Sequence, residues 1–329
     1  MCPWWRALGR ATAAVGLALA ATSSLHAVIF FSTADQNHNT TAPTGALADS
    51  GWQWQGTWGG FTGTAIGPHH FLAAKHVGGT AGNPFVLNGI SYTTTTSYAA
   101  TNCDLRIWEV DGTFPSWAPL YRSTSELSKL FVVFGRGVSR GGEIQVGGVV
   151  KGWYWGGGSG ILRWGENVVR SIVAGSATTG QLLYATFDST GGPEEAHVGV
   201  GDSSGAVFIQ DAGVWKLAGI NLSVDGPFNT TDSGNGFNAA LFDAGGLYYL
   251  TNNVWELVPD QPADVPTGFY ATRVSAHVDW IDNILAMPVT TAATDAPLLG
   301  ARELIVLGAG LTAIGCVYGA RGARRVLIR

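Results

Sequence analysis

From Val28 to about Tyr270 the chain is cut into short apolar or alternating runs by clusters of Gly, Asn, Asp and Thr. Phe131 to Phe134, Ile144 to Val150, Ala206 to Ile209 and Val214 to Ile220 are such runs, and Gln210-Asp211-Ala212-Gly213 separates the last two by hairpin length. Runs of this length between turn residues read as strands, and so short a connection joins them antiparallel. The residue stock agrees: 47 glycines, 13 tryptophans and only 12% charged residues in 329 favour half-buried strands and tight turns over exposed helices. The chain is therefore expected to be all-β, and coiled coils and helical bundles are excluded. Its 46% of apolar residues can fill a sizeable core, which excludes disorder.

Two halves are expected. Between Asp111 and Ser128, Pro115, Pro119 and a Ser/Thr cluster interrupt the strands as a linker does, dividing the body into small barrels or sandwiches over about 28–115 and 129–275. Ser275 can cap a closing helix over 276–286, whose Val278, Ile281 and Leu285 share one face. Asp225 to Thr267 is longer than a simple hairpin. Its Tyr248, Tyr249 and Trp255 either line an extended cleft or, the preferred reading, form an extra hairpin that covers core.

The two ends read as addresses. Arg6 and Arg10 precede an apolar run from Ala11 to Ala21, and Thr22 to Ala27 follows it, the three-part layout of a secretory signal cut after Ala27. The run is shorter than the roughly 20 residues that span a bilayer. Residues 1–27 are expected to be removed and the protein exported to the periplasm, cell surface or medium. In residues 287–329 a second apolar stretch, Leu304 to Tyr318, is followed by Arg321, Arg324, Arg325 and Arg329. It resembles the PEP-CTERM type of bacterial sorting tail, although the Pro-Glu-Pro motif is absent and only Asp295-Ala296-Pro297 stands nearby. Sorting machinery and a plain membrane anchor both remain open for this segment. With Cys2 and Cys316 in the ends, Cys103 is alone in the body, so no disulfide staples it. No basic residue adjoins Cys103, which reads as a small buried residue rather than a nucleophile.

Residues 28–300 hold 11 basic and 22 acidic residues, a net of −11 against −5 for the whole chain. So acidic a body lacks the face that neutralises phosphates, which excludes nucleic acid as a partner. It stays soluble by self-repulsion.

The sharpest local signal is Gly199-Val200-Gly201-Asp202-Ser203-Ser204-Gly205, directly before an apolar strand. A tight Gly-bearing turn can aim backbone N–H groups at one point, as stabilisation of an oxyanion requires; ordinary turns of this composition are also common in β proteins. A serine hydroxyl is a weak nucleophile and needs a base that a third group orients. His76 follows the buried-strand pattern Phe71-Leu72-Ala73-Ala74-Lys75 and precedes Gly78-Gly79, and Asp104 opens the alternating run Asp104-Leu105-Arg106-Ile107-Trp108. His69 and His70 with His76 invite a zinc site, but no carboxylate or cysteine stands at ligand spacing, so no metal is expected. Trp52, Trp54, Trp58, Trp153, Trp155 and Trp164 can form a sugar platform; buried packing explains them more simply.

In the order histidine, aspartate, serine, these motifs resemble the chymotrypsin-like (trypsin-fold) serine endopeptidases of the disulfide-poor bacterial kind. Ala73-Ala74-Lys75-His76 is similar to the family's alanine-alanine-histidine motif with Lys75 inserted, Asp104-Leu105 to its aspartate strand start, and Gly201 to Gly205 to its glycine-aspartate-serine-glycine-glycine motif. Phe269 to Leu285 is similar to its terminal strand and helix. The likeness covers roughly residues 28–286 and implies two six-stranded antiparallel β-barrels with the site between them. It implies that Ser203 attacks a peptide carbonyl, that His76 relays the proton, and that Asp104 orients the imidazole. The N–H groups of Gly201 and Ser203 would form the oxyanion hole, with a polypeptide as substrate and no cofactor.

Departures accompany the likeness. Ser204 replaces the glycine after the nucleophile, Val77 replaces the cysteine that often follows the histidine, and only 28 residues separate His76 from Asp104, implying trimmed loops. Ser204 and a loose pocket wall motivate the alternative, a catalytically silent binding protein of the same fold. Six residues before Ser203, where the trypsin subgroup keeps an aspartate, stands His197, which does not support a preference for Lys or Arg. Partly protonated, it would favour an acidic side chain, and Glu194 and Glu195 beside it would neutralise it or attract a base. Asn221, Leu222 and Ser223 are expected to form one pocket wall. Members of the family often pair a freshly cut N-terminal amine with the aspartate before the nucleophile, here Asp202, and cleavage after Ala27 would free Val28 for that role.

Overall fold

The structure, a computed structural model, describes residues 27–158 and 160–289. The expected signal, apart from Ala27, and the apolar tail from residue 290 lie outside the described residues. No described helix is long and apolar enough to cross a membrane.

Strand β1 (Ile29–Phe30) leads into a closed antiparallel barrel of six strands: β2 (Gln55–Trp58), β3 (Phe61–Gly67), β4 (His70–Ala74), β5 (Pro84–Leu87), β6 (Ile90–Ala99) and β7 (Leu105–Asp111), in the order β2-β3-β4-β7-β6-β5. Its interior is aromatic. Phe71 and Phe85 stack at 4.0 Å between centroids, and Trp58 and Trp108 close the same cluster. Glycine at 63 makes room for them, because a Cβ there would lie 2.8 Å from the Phe71 ring.

The second body opens with β8 (Leu130–Gly135), β9 (Val138–Val146), β10 (Val149–Gly158), β11 (Arg163–Val168), β12 (Ser171–Val173), β13 (Leu182–Thr186) and β14 (Ala196–His197). It continues with β15 (Ala206–Asp211), β16 (Val214–Val224), β17 (Phe228–Asn229), β18 (Ala239–Leu241), β19 (Tyr248–Thr251), β20 (Val254–Leu257) and β21 (Gly268–Arg273). Its main sheet is a curled antiparallel run of seven strands, β11-β8-β15-β16-β21-β13-β12. The body is therefore all-β, a closed six-stranded barrel followed by a curled sheet of seven strands where a second six-stranded barrel is expected. The run from Ile144 to Val150 is not one strand. Gly147 and Gly148, at φ +58° and +83°, turn the chain between β9 and β10. The long segment after Asp225 supplies the three-stranded sheet β17-β19-β20, which covers a satellite core with Phe228 and Leu247.

The segment from Val28 to Trp54 contributes no strand to the first barrel. β1 pairs with β14 of the second body, Ile29 opposite His197, rather than with the first barrel, whose strands begin at Gln55. A pair only two residues long carries no periodicity by which a sequence could assign it. The linker does cross between the bodies, and it binds both. Ala118 N–H donates to Ala65 O, and Tyr121 N–H to Leu217 O.

Helix α1 (Val278–Leu285) buries Ile281 and Ile284 in a core shared by the barrels, which also holds Leu72, Ile107, Phe134 and Leu217. Ser275 does not cap it. The hydroxyl donates instead to Glu126 Oε1 at 2.5 Å, and Glu126, fully buried, takes a two-pronged ion pair from Arg273 at 2.9 and 2.7 Å. Trp58, Trp153 and Trp164 are buried, and Arg140 stacks on Trp153 at 3.5 Å.

Candidate active site

Strand β4 ends at Ala74 and a 3-10 turn, Lys75–Val77, carries His76 out of the barrel. Opposite Ala74 stands Leu105, so Asp104 at the head of β7 meets the turn directly. His76 Nδ1–H donates to Asp104 Oδ2 at 2.5 Å, and His76 N–H donates to Asp104 Oδ1 at 2.9 Å. Both carboxylate oxygens are thus committed to one residue, which fixes the ring's tautomer and plane and leaves Nε2 to accept a proton. The imidazole is 39% exposed and the Asp104 side chain only 8%, a base open to a substrate and an orienting group shielded from water.

Lys75 holds this pair. Its N–H donates to Asp104 O at 3.0 Å, and Nζ donates to Ala100 O at 2.9 Å and Cys103 O at 2.8 Å, clamping the loop that leads into Asp104. Lys75→Met is expected to cost about 2 kcal/mol of stability, in line with charge-assisted hydrogen bonds, and to lower turnover about tenfold by loosening Asp104; denaturant unfolding and steady-state kinetics check the two effects. Cys103 in the same loop is fully buried and burial pushes its thiol up to about 11, an inert residue.

The turn from Gly199 to Gly205 is built around Asp202. Its carboxylate, 1% exposed, accepts from Gly137 N–H at 2.7 Å and Gly199 N–H at 2.8 Å. Gly201 sits at φ +88°, and a Cβ there would lie 2.7 Å from Gly137 Cα, so this position takes only glycine. The two serines that follow differ sharply. Ser203 lines a cavity, whereas Ser204 is fully buried with Oγ accepting from Ala74 N–H at 2.9 Å. That bond sets the Ser203 turn against the end of the strand that presents His76. The N–H groups of Asp202, Ser204 and Gly205 bond to Gly199 O, Asn221 O and Asp202 O, while those of Gly201 and Ser203 take no acceptor among the described residues. Two donors are therefore free beside Ser203.

The cavity, about 360 Å³, is lined by Trp155, Val198, Gly199, Val200, Ser203, Asn221, Leu222, Ser223, Val224 and Asn238, with no charged side chain among these ten. Asn221, Leu222 and Ser223 line it together with Ser203. The Asn221 amide, however, is turned into the protein, donating to Phe134 O at 2.9 Å and Asp202 O at 3.1 Å, so it braces the turn. His197 does not line the cavity. Its pairing with Ile29 turns the ring into the core, where it meets Phe187 and Phe269 edge-on and is fully buried. Burial pushes its imidazole down to about 4, which keeps it neutral and withdraws the charge on which an acidic preference would rest.

The N-terminal segment reaches the site from behind. Val28 N lies 3.4 Å from both carboxylate oxygens of Asp202. Arg163 fastens the segment, donating to His38 O at 2.7 Å and Asp35 O at 3.1 Å over the ring of Phe30. With the Ala27–Val28 peptide intact, Val28 sits at φ +56°, an outlier for a β-branched residue. Cleavage of that bond would remove the torsion altogether. Burial pushes the Asp202 carboxyl up to about 7, against the pull of the N–H groups of Gly199, Gly137 and Val28.

Three contributors escaped the sequence: the Lys75 clamp, the Asn221 brace and the Trp155 wall. Lys75 stood next to His76 as an extra residue in a motif, the one local sign of its role. No protein-family model and no curated protein matches the chain. Among solved structures, neuropsin, described as a serine protease expressed in the limbic system of mouse brain, is similar to it at 13% identity and a TM-score of 0.45, covering 72% of this chain and 96% of that one.

Proposed function

We propose that this chain is an exported serine endopeptidase that hydrolyses peptide bonds through Ser203, His76 and Asp104. The observation that carries the reading is an imidazole held by a carboxylate on a strand end that Ser204 ties to the glycine turn, where Ser203 lines a cavity and two N–H groups have no acceptor among the described residues. In this reading Ser203 Oγ bonds to the substrate carbonyl carbon as its proton passes to His76 Nε2. The oxyanion sits between the N–H groups of Gly201 and Ser203. His76 returns the proton to the leaving amine, and the acyl-enzyme is then opened by water in the same sequence. Asp104 stabilises the imidazolium through the hydrogen bond it takes from Nδ1.

The uncharged cavity beside Ser203 extends the proposal to substrate. Val198, Val200, Leu222, Val224 and Trp155 offer apolar walls for the side chain before the scissile bond, and a charged group would lose its hydration there without a counter-ion. Digestion of a mixed peptide library should give cuts after apolar or aromatic residues. Cuts confined to Asp and Glu, or to Lys and Arg, would contradict this pocket. Signal cleavage after Ala27 belongs to the same proposal, since it would supply the Val28 amine to Asp202. So does handling of the apolar tail by sorting machinery or a membrane.

A further inference from the structure

Ser204 departs from the motif it sits in, and its surroundings show why a side chain is present there. The residue adopts φ +68°, the left-handed region that disfavours any residue with a Cβ. Glycine would hold the same backbone without strain, so the hydroxyl has to be of use. Its Oγ accepts the Ala74 N–H across 130 residues of sequence, from one barrel to the other. Among the described residues the Ala74 N–H takes no other acceptor. It stands opposite Leu105 while Lys75 N–H bonds to Asp104 O, and in an antiparallel ladder this alternation points the Ala74 N–H away from β7. On the other side the β3 pairing closest to Ala74 is Thr64 with Leu72. The same serine's N–H donates to Asn221 O at 3.0 Å, so both of its polar arms are fixed.

We infer that Ser204 is a positioning residue that ties the strand end presenting His76 to the turn presenting Ser203, holding base and nucleophile in register across the junction of the two barrels. His76 is two residues beyond Ala74 and Ser203 is adjacent to Ser204, so this hydrogen bond joins the two segments within two residues of each reacting group. The inference rests on the peptidase reading for its kinetic consequence, but the tether itself does not.

Two variants of the mature protein separate the effects. Ser204→Ala removes the acceptor and keeps the left-handed strain, and Ser204→Gly removes the acceptor and relieves it. Amide hydrogen exchange at Ala74 should accelerate at least tenfold in both. On a peptide substrate kcat should fall by on the order of ten- to a hundredfold in both, as expected when reacting groups are displaced by a fraction of an ångström, with KM unchanged and with the thermal midpoint of the glycine variant no lower than wild type. Faster exchange with unchanged kcat would overturn the positioning role, and unchanged exchange would overturn the tether. A wild-type protein without peptidase activity would overturn the parent reading instead, and the Ala74 comparison would still support or overturn the tether.

Discussion

Replacing Ser203 with alanine is expected to lower kcat/KM on a peptide substrate by roughly 10⁴- to 10⁶-fold, His76→Ala by a similar factor, and the double substitution by no more than either alone. The non-additivity follows from the proposed mechanism. Ser203 is a nucleophile only while His76 can take its proton, and His76 serves no step without that proton, so the second removal has nothing left to abolish. Asp104→Asn should cost on the order of 10⁴-fold. An amide accepts through one oxygen only, and the two hydrogen bonds that Asp104 now takes from the His76 ring and backbone would compete for it. Neither Ser203→Ala nor His76→Ala should unfold the protein, because the His76 ring is partly exposed and Ser203 lines a cavity. Initial rates measured beside thermal unfolding curves separate lost chemistry from lost structure.

A chain that retains residues ahead of Val28 should be at least about a hundredfold less active than one beginning at Val28, the loss expected when a donor to the oxyanion is misplaced. The Asp202 carboxylate anchors the Gly201–Ser203 turn, and Val28 N is placed to bridge both of its oxygens. As an amide, Val28 offers one N–H; as a terminal ammonium it would offer a full charge to an anion buried beyond the reach of water. The pH behaviour follows from the raised Asp202 value. A carboxyl near 3.8 in the unfolded chain and about 7 in the uncut fold remains protonated longer in the folded state, so through this group alone the uncut protein is favoured below about pH 4. It loses stability as pH rises towards 7, by an amount of order 4 kcal/mol. Asp202→Asn should flatten that dependence in the uncut chain, and the free Val28 ammonium should flatten it in the cut one. Unfolding midpoints between pH 4 and 8 for uncut, cut and Asp202→Asn proteins check the sign.

Much of the fold was legible because its signals are local. The hairpin at Ala212 and Gly213 joins β15 to β16 where the turn residues placed it, both at positive φ. The strand that ends at Ala74 and the one that begins at Leu105 follow alternation and apolar runs that survive in the structure. The histidine, aspartate and glycine-turn serine each carry a recognisable neighbourhood, and the fold brings the first two into contact. Illegible features depend on partners far away in the chain. His197 reads as a pocket residue until β1 pairs with β14 and turns its ring inward. Ser275 has the form of a helix cap, yet a buried carboxylate 149 residues earlier claims its hydroxyl. Ser204 looks like a defect in a motif until Ala74, on another barrel, supplies the N–H that explains it. The Ile144 to Val150 run misleads for a different reason: Gly147 and Gly148 are turn residues inside an apolar stretch, where composition hides a hairpin.

The central claim is that one hydroxyl of the glycine turn is made nucleophilic by His76. Treatment of the mature protein with a serine-directed fluorophosphonate, followed by mass mapping of the adduct, tests it most directly. The account predicts one adduct, on Ser203, that disappears in His76→Ala. An unlabelled protein, an adduct on the buried Ser204, or labelling indifferent to His76 would contradict it.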